Sequence, residues 1–253
     1  TENILRSQQT SQTNYGYNSI YELTSVTGAQ LHAYLHDNVG NRKIADNVTY
    51  QSNSLNQYTF VGNQAHSYDG NGNLTADGIN TYTFDEENRL TKAVNSSFVS
   101  DYIYDAFSRR AGKKVKSQWT YYLSDFDDEA AEYDSTGTLL AEYVTSDVID
   151  EVLTMDRGGK TYYYHHDGLG NVTDLTDASG NVIETYTYDV YGAPSKLSTV
   201  GNPFYLTGRR FDPESGLYDY RARNYHLLLG RFMQRDPIGY FDSMNLYQYT
   251  FNS

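Results

Sequence analysis

The stretch Asn181-Val182-Ile183-Glu184-Thr185-Tyr186-Thr187-Tyr188-Asp189, closed by Gly192, decides the fold. Its residues alternate with a period of two, as a half-buried strand requires. Tyr186 and Tyr188 therefore share one face. Asp189 ends the strand, because its carboxylate can accept bonds from backbone amides two residues on. Gly192 accepts the positive φ that a tight turn demands. The stretch reads as one arm of a β-hairpin together with its turn.

The same phrase recurs along the chain: Tyr-x-Tyr-Asp, a polar turn with Gly or Asn, then Leu-Thr or Val-Thr. Copies run from Tyr15, Tyr17 and Asn18 to Leu23-Thr24, and from Tyr34, His36 and Asp37 to Gly40-Asn41. Tyr68-Asp69 leads to Gly72-Asn73-Leu74-Thr75, and Tyr82, Phe84 and Asp85 to Asn88-Arg89-Leu90-Thr91. Tyr102, Tyr104 and Asp105 continue the series, a weaker copy sits at Tyr133-Asp134 with Gly137, and Tyr164, His166 and Asp167 precede Gly170-Asn171-Val172-Thr173. Hairpins that cannot each bury a face alone must stack, so the repeat predicts an all-β chain of stacked antiparallel hairpins in one long, curling sheet. The best short helix candidates are only Asp127 to Glu132 and Pro213 to Leu217. After about Gly201 the texture changes: arginines, turn prolines and aromatics crowd together without the hairpin rhythm. The expected organisation is residues 1–200 as repeat sheet and 201–253 as a distinct terminal module.

Composition agrees. Tyrosine is the odd number, 27 against 10 Phe and 1 Trp, and it suits strands that bury a ring and keep a hydroxyl wet. The net charge of −13 argues against nucleic acid as a partner, since a backbone-binding protein needs a cationic surface. The basic cluster Arg109, Arg110, Lys113, Lys114 and Lys116 is expected to be a solvated strand pair. There is no cysteine, so no disulfide or thiolate metal site is available. No apolar run approaches the roughly 20 residues that cross a bilayer. The opening Thr1-Glu2-Asn3-Ile4 reads as an interior point of a longer chain.

These residues carry a family resemblance. The Tyr-Asp hairpins resemble the YD repeats of Rhs proteins, of insecticidal toxin-complex C components and, more distantly, of teneurins. The terminal stretch is similar to the Rhs repeat-associated core domain. Its pattern runs through Thr207-Gly208, Asp212-Pro213-Glu214-Ser215-Gly216-Leu217-Tyr218, Arg221-Ala222-Arg223-Asn224-Tyr225, Gly230-Arg231-Phe232, Asp236-Pro237-Ile238-Gly239 and Asn245-Leu246-Tyr247. The resemblance covers nearly the whole chain. It implies a spiralling shell with an inward-curling C-terminal plug, which sequesters a C-terminal toxin or variable polypeptide of the same parent chain. It also implies export by a bacterium, to the cell surface or medium, with delivery-machinery proteins as further partners. Many members cut their own chain once, by aspartates near two Asp-Pro-x-Gly motifs. The first motif maps to Asp236, with Arg235 just before it; the second belongs beyond Ser253, so this stretch alone is expected not to cleave.

Three functions compete. The preferred one is a structural shell segment. The second is an intramolecular aspartyl autoprotease with Asp236 and Arg235 as candidate catalytic residues, Asp242 being a weaker partner; two carboxyl groups must sit close for one to hold a proton the other lacks. The third is a glycan-binding adhesin using tyrosine rings. Arg221, Arg223 and Arg231 are expected to pack on tyrosine faces or pair with Asp219 or Glu214. No cofactor or metal is expected. Asp69-Gly70-Asn71-Gly72-Asn73 resembles the start of a calcium loop, yet loop position twelve is Asn80 rather than Glu, so a turn is the better reading. Adjacent His165 and His166 point to opposite strand faces, and His166 reads as an aromatic substitute at a repeat position. An open spiral leaves unpaired edges, which predicts self-association.

Overall fold

The computed structural model describes residues 13–28, 31–241 and 243–250; the opening at Thr1 and the weaker partner Asp242 fall outside them. The described strands form three antiparallel sheets in which each strand pairs with the next in sequence. Seven strands run from Asn14–Tyr17 to Gln64–Ala65, thirteen from Ser67–Tyr68 to Val182–Thr185, and four from Arg210–Asp212 to Arg231–Phe232. The first two sheets make the wall, and the third lies on its inner face.

Every part of the repeat has a job in the turn. In the copy at Asp37, the amides of Val39 and Asn41 donate to Asp37 Oδ1 at 3.0 and 2.9 Å, and Asn41 Nδ2 donates to Oδ2 at 2.9 Å. Asp69 with Asn73 and Asp167 with Asn171 repeat this pattern, and Asp85 uses the Arg89 guanidinium instead. The fourth residue of the turn is left-handed, glycine in most copies (Gly170 at φ 80°) and Asn88 at φ 63°. Asp177 to Asn181 makes the same turn, a copy that lacks the preceding tyrosines.

The threonine that follows Leu or Val is the bulge. Pairing slips by one residue just there: Thr83 faces Lys92 but Phe84 faces Leu90, and His165 faces Asp174 but His166 faces Val172. The skipped residues are Thr91 and Thr173. Their hydroxyls donate to Thr83 O at 3.1 Å and His165 O at 3.2 Å, and Thr24 bonds Gly16 O likewise at 3.0 Å. A bulge frees a backbone carbonyl and bends its strand. The threonine satisfies the carbonyl, and the bend, repeated copy after copy, curls the sheet.

Tyr17 and Tyr104 lie on strands, and Tyr188 bridges to Pro194 at the wall's end. In the copies with two rings inside the wall the first points fully inward and the second is half-buried: Tyr82 with Phe84, Tyr102 with Tyr104, Tyr186 with Tyr188. Tyr15 and Tyr17, on the first described strand, are exposed. His166 stacks on Tyr164 with centroids 6.1 Å apart, as an aromatic substitute should. The helix candidates are corrected: Asp128–Asp134 is a strand paired on both sides, and residues 213–216 are a turn. Cross-strand ladders override weak local helix propensity.

Candidate functional site at the plug and its seat

The terminal segment packs into core clusters that it shares with the wall. Phe204, Phe211, Tyr218, Tyr225 and Phe232 pack against Tyr143, Met155, Tyr162, Tyr164 and Leu175 of the wall. Leu217, Leu229 and Met233 fill a second cluster with Tyr58, Leu74, Leu90 and Tyr102. Burying one such side chain stabilises by about 1.5–3 kcal/mol, so the plug and the inner face depend on each other. Backbone bonds join them as well: Leu74 N donates to Met233 O, and Val172 N to Tyr205 O, each at 3.0 Å. Both donors sit beside a bulge, where the wall strand has no cross-strand acceptor for them.

At one rim the plug reads the turns directly. Arg231 donates to Asn56 O at 2.7 Å and to Asn41 Oδ1 at 3.0 Å, with its guanidinium 3.8 Å from the Tyr58 ring centroid. Tyr247 Oη donates to Gly72 O at 2.7 Å and accepts from Gln57 Nε2 at 3.0 Å. A side chain at Gly72 would meet Arg235 Cδ at 2.6 Å, so the plug comes down onto that turn. Asp69-Gly70-Asn71-Gly72-Asn73 is thus a hairpin turn seated under the plug.

The seat also holds a buried ionic cluster. Asp212 Oδ2 meets Arg110 Nη1 at 2.5 Å and its Oδ1 meets Lys113 Nζ at 2.6 Å. Arg110 Nε reaches Asp219 at 2.9 Å, and Lys113 reaches Glu214 at 3.1 Å. Arg210 forks onto Glu129 and reaches Glu132 Oε1 at 2.6 Å; Arg157 holds the other oxygen of Glu132. Burial alone would raise the Asp212 carboxyl, but the charges of Arg110 and Lys113 outweigh it and hold it at about 2. Glu132 is likewise brought to about 2, by Arg210 and Arg157 against its burial. The basic run therefore corrects one expectation. Arg110, buried, and Lys113, half-buried, are partners of the plug rather than solvated, and only part of the cluster faces water. Composition hid this, because Asp212 lies far along the chain. A readable signal existed for one pair: Lys113 and Lys114 are adjacent on a single strand and must point to opposite faces.

Asp236 sits in a turn of the repeat's own type. Ile238 N donates to its Oδ1 at 3.1 Å and Gly239 N to its carbonyl at 3.0 Å. In the wall turns Oδ2 is clamped by the residue four positions on; here it meets Arg223 Nη1 at 2.7 Å, from a plug strand. That guanidinium lies 3.7 Å from the Phe232 ring centroid. Asp236 and Arg223 line an open cleft of about 350 Å³ with Ser243, Asn245 and Tyr249. Arg235 is elsewhere, reaching Asn71 O at 3.3 Å. Arg223, then, is the arginine the fold brings to Asp236. Arg221 turns to Asp150 at 2.8 Å rather than to Asp219 or Glu214 side chains, while Arg231 stacks on tyrosine as expected.

A bulged hairpin wall closed over an aromatic plug defines a class: the shell segments of tyrosine-aspartate repeat proteins. The teneurin YD-shell family model matches residues 1–253. The chain belongs to that family. Among curated proteins it is similar to the tRNA3(Ser)-specific nuclease WapA of Bacillus spizizenii, 34% identical over 222 residues, covering 81% of this chain and 9% of that protein. It is also similar to the double-stranded DNA deaminase toxin A of Burkholderia cenocepacia, 25% identical over 229 residues, covering 73% of this chain and 16% of that one. The chain thus spans less than a fifth of the length of these relatives. The solved TcdB2-TccC3 structure superposes with a TM-score of 0.57 at 16% identity, covering 96% of this chain and 17% of that one. The Photorhabdus luminescens Tc holotoxin pore gives 0.55 at 16% identity over 95% of this chain and 17% of that one.

Proposed function

We propose that this chain is the closing section of a shell that encloses a toxic C-terminal polypeptide of the same exported bacterial parent, with the module boundary near Gly201. The observation that carries the reading is the mutual burial of wall and plug in two shared core clusters. The relatives support it. One is named for tRNA cleavage and another for DNA deamination, yet both share this stretch. Chemistries that differ while the stretch is common belong outside it, and the common part is the container. Delivery-machinery proteins remain partners of the parent in this reading, in line with the Tc complexes of similar fold. The test is limited proteolysis of the full parent polypeptide. The downstream part should resist protease while the wall is intact and become digestible once Asp212→Asn loosens the plug. Digestion at equal rates in both proteins overturns the container.

A second reading, self-cleavage centred on Asp236, rests on the Arg223–Asp236 pair at the edge of an open cleft. Its test compares the parent with Asp236→Asn on a gel, and equal cleavage in both removes Asp236 from the chemistry. The adhesin reading is weakened by burial: the repeat tyrosines fill the interior and present little ring surface to a sugar.

A further inference from the structure

A groove opens at the ends of the wall strands, away from the buried ion pairs; its floor includes Phe98, whose ring also belongs to the core that the plug completes. The groove has a volume of about 370 Å³ and lies between the turn around residues 95–99 and the turn at Lys116-Ser117; Asn95, Ser97, Asp101, Lys114, Lys116 and Ser117 line it. Beside it stands Trp119, the one tryptophan of the chain. Lys114 Nζ, from the groove, is 5.8 Å from the Trp119 ring centroid. Trp119 and Tyr121 are near-parallel, 10° between planes and 5.6 Å between centroids. Tyr121 faces Gly112 across the ladder, and a Cβ there would come within 3.2 Å of the tyrosine ring. The bare glycine thus lets the ring settle over the backbone next to the tryptophan.

The Trp119–Tyr121 stack stands outside the lining and adjoins it through Lys114, which both lines the groove and lies over the indole. The charge is local and against the trend. On a chain of net charge −13, the groove holds Lys114 and Lys116 with a single carboxylate, Asp101, already met by Lys92 at 3.4 Å and Lys114 at 3.7 Å. We propose that this groove binds an anionic carbohydrate, a glycan bearing uronate or sialate units. The C–H face of a pyranose packs on Trp119 and Tyr121, as apolar surface does on aromatic rings. The sugar carboxylate pairs with Lys116 and Lys114 by charge-assisted bonds, and Asn95 and the serines meet its hydroxyls. Single-stranded nucleic acid also offers flat rings and negative charge. It is disfavoured because a polyanion needs an extended cationic track, and this groove is short on an acidic surface. The site is independent of the container reading.

Trp119 is its own reporter. The full chain is titrated with trigalacturonic acid, maltotriose and oligothymidylate while tryptophan emission is followed. The expected result is a saturable blue shift with trigalacturonic acid below about 10 mM, the weak end of specific recognition, and at least fivefold weaker binding of maltotriose. Lys116→Glu, an exposed turn substitution whose fold is checked by circular dichroism, should weaken the uronate at least fivefold. No saturable shift with the uronate, equal affinity for maltotriose, unchanged affinity in Lys116→Glu, or tighter binding of oligothymidylate would each overturn the assignment.

Discussion

Replacing Asp212 by Asn tests how plug and wall are joined. The Asp212 side chain is 1% exposed and lies between Arg110 and Lys113, themselves 3% and 13% exposed. Asparagine keeps the shape and removes the charge, leaving two buried cations short of a counter-ion. Breaking a buried pair from one side typically costs about 3–5 kcal/mol. Asp219 and Glu214 still face Arg110 and Lys113, so the low end, about 3 kcal/mol, is expected. The lowered carboxyl points to a similar size. The carboxyl falls from its ordinary 3.8 to about 2, which corresponds to about 2 kcal/mol. Its sign follows from a depressed folded-state value: the contribution is complete above pH 4 and fades as pH falls through 2. Urea unfolding followed by circular dichroism reads both effects. At a slope of about 3 kcal/mol per molar for a chain of this size, the midpoint should drop by about 1 M at neutral pH. Between pH 4 and pH 2 the variant should lose about 2 kcal/mol less than wild type. A midpoint shift under about 0.3 M, or identical acid limbs, would refute the claim that this carboxylate joins plug to wall.

Gly208→Ala should destabilise by about 3 kcal/mol or more, since a Cβ there would lie 2.0 Å from Asp150 O at a left-handed φ of 69°; a melting temperature within a degree of wild type argues against the packed geometry. Thr173→Val removes the bulge hydroxyl from His165 O and should cost about 1 kcal/mol in urea unfolding; no loss would mean that the bulge needs no such bond. Phe126 is 87% exposed at φ 48°, so Phe126→Gly should stabilise by about 1 kcal/mol, unless thermal unfolding shows the ring is held by contacts its exposure denies.

The hairpin wall was legible because its signal is local. Tyr-x-Tyr sets a face, Asp stops the strand and Gly turns it, all within one phrase. What stayed hidden depends on partners remote in sequence. Lys113 is the clearest case. By strict alternation Arg110 and Lys113 fall on opposite faces, yet both point inward, because Ile103 faces Gly112 while Tyr104 faces Arg110 and Ala111 is skipped. The bulge puts both on the plug side, where Asp212 takes them up, whereas charge alone had suggested a solvated cluster. The helix candidate at Asp127 to Glu132 failed for the converse reason: weak local preference was read where strand neighbours on both sides decide.

The same logic bears on Asp236. Its loop was legible as a motif, and Arg235 was its natural partner by adjacency. Neighbouring residues in extended chain point apart, so adjacency sends Arg235 away to the turn at Asn71 and leaves the carboxylate to Arg223, which faces it from the plug strand Arg223–His226. In the wall the oxygen at the corresponding place is held by Asn or Arg of the same turn, so those aspartates keep their geometry wherever the hairpin forms. Asp236 keeps its own only when the plug is packed. Its clamp is set by tertiary structure, because the Arg223 guanidinium reaches Asp236 only while the strand Arg223–His226 and the Asp236 turn stay packed together.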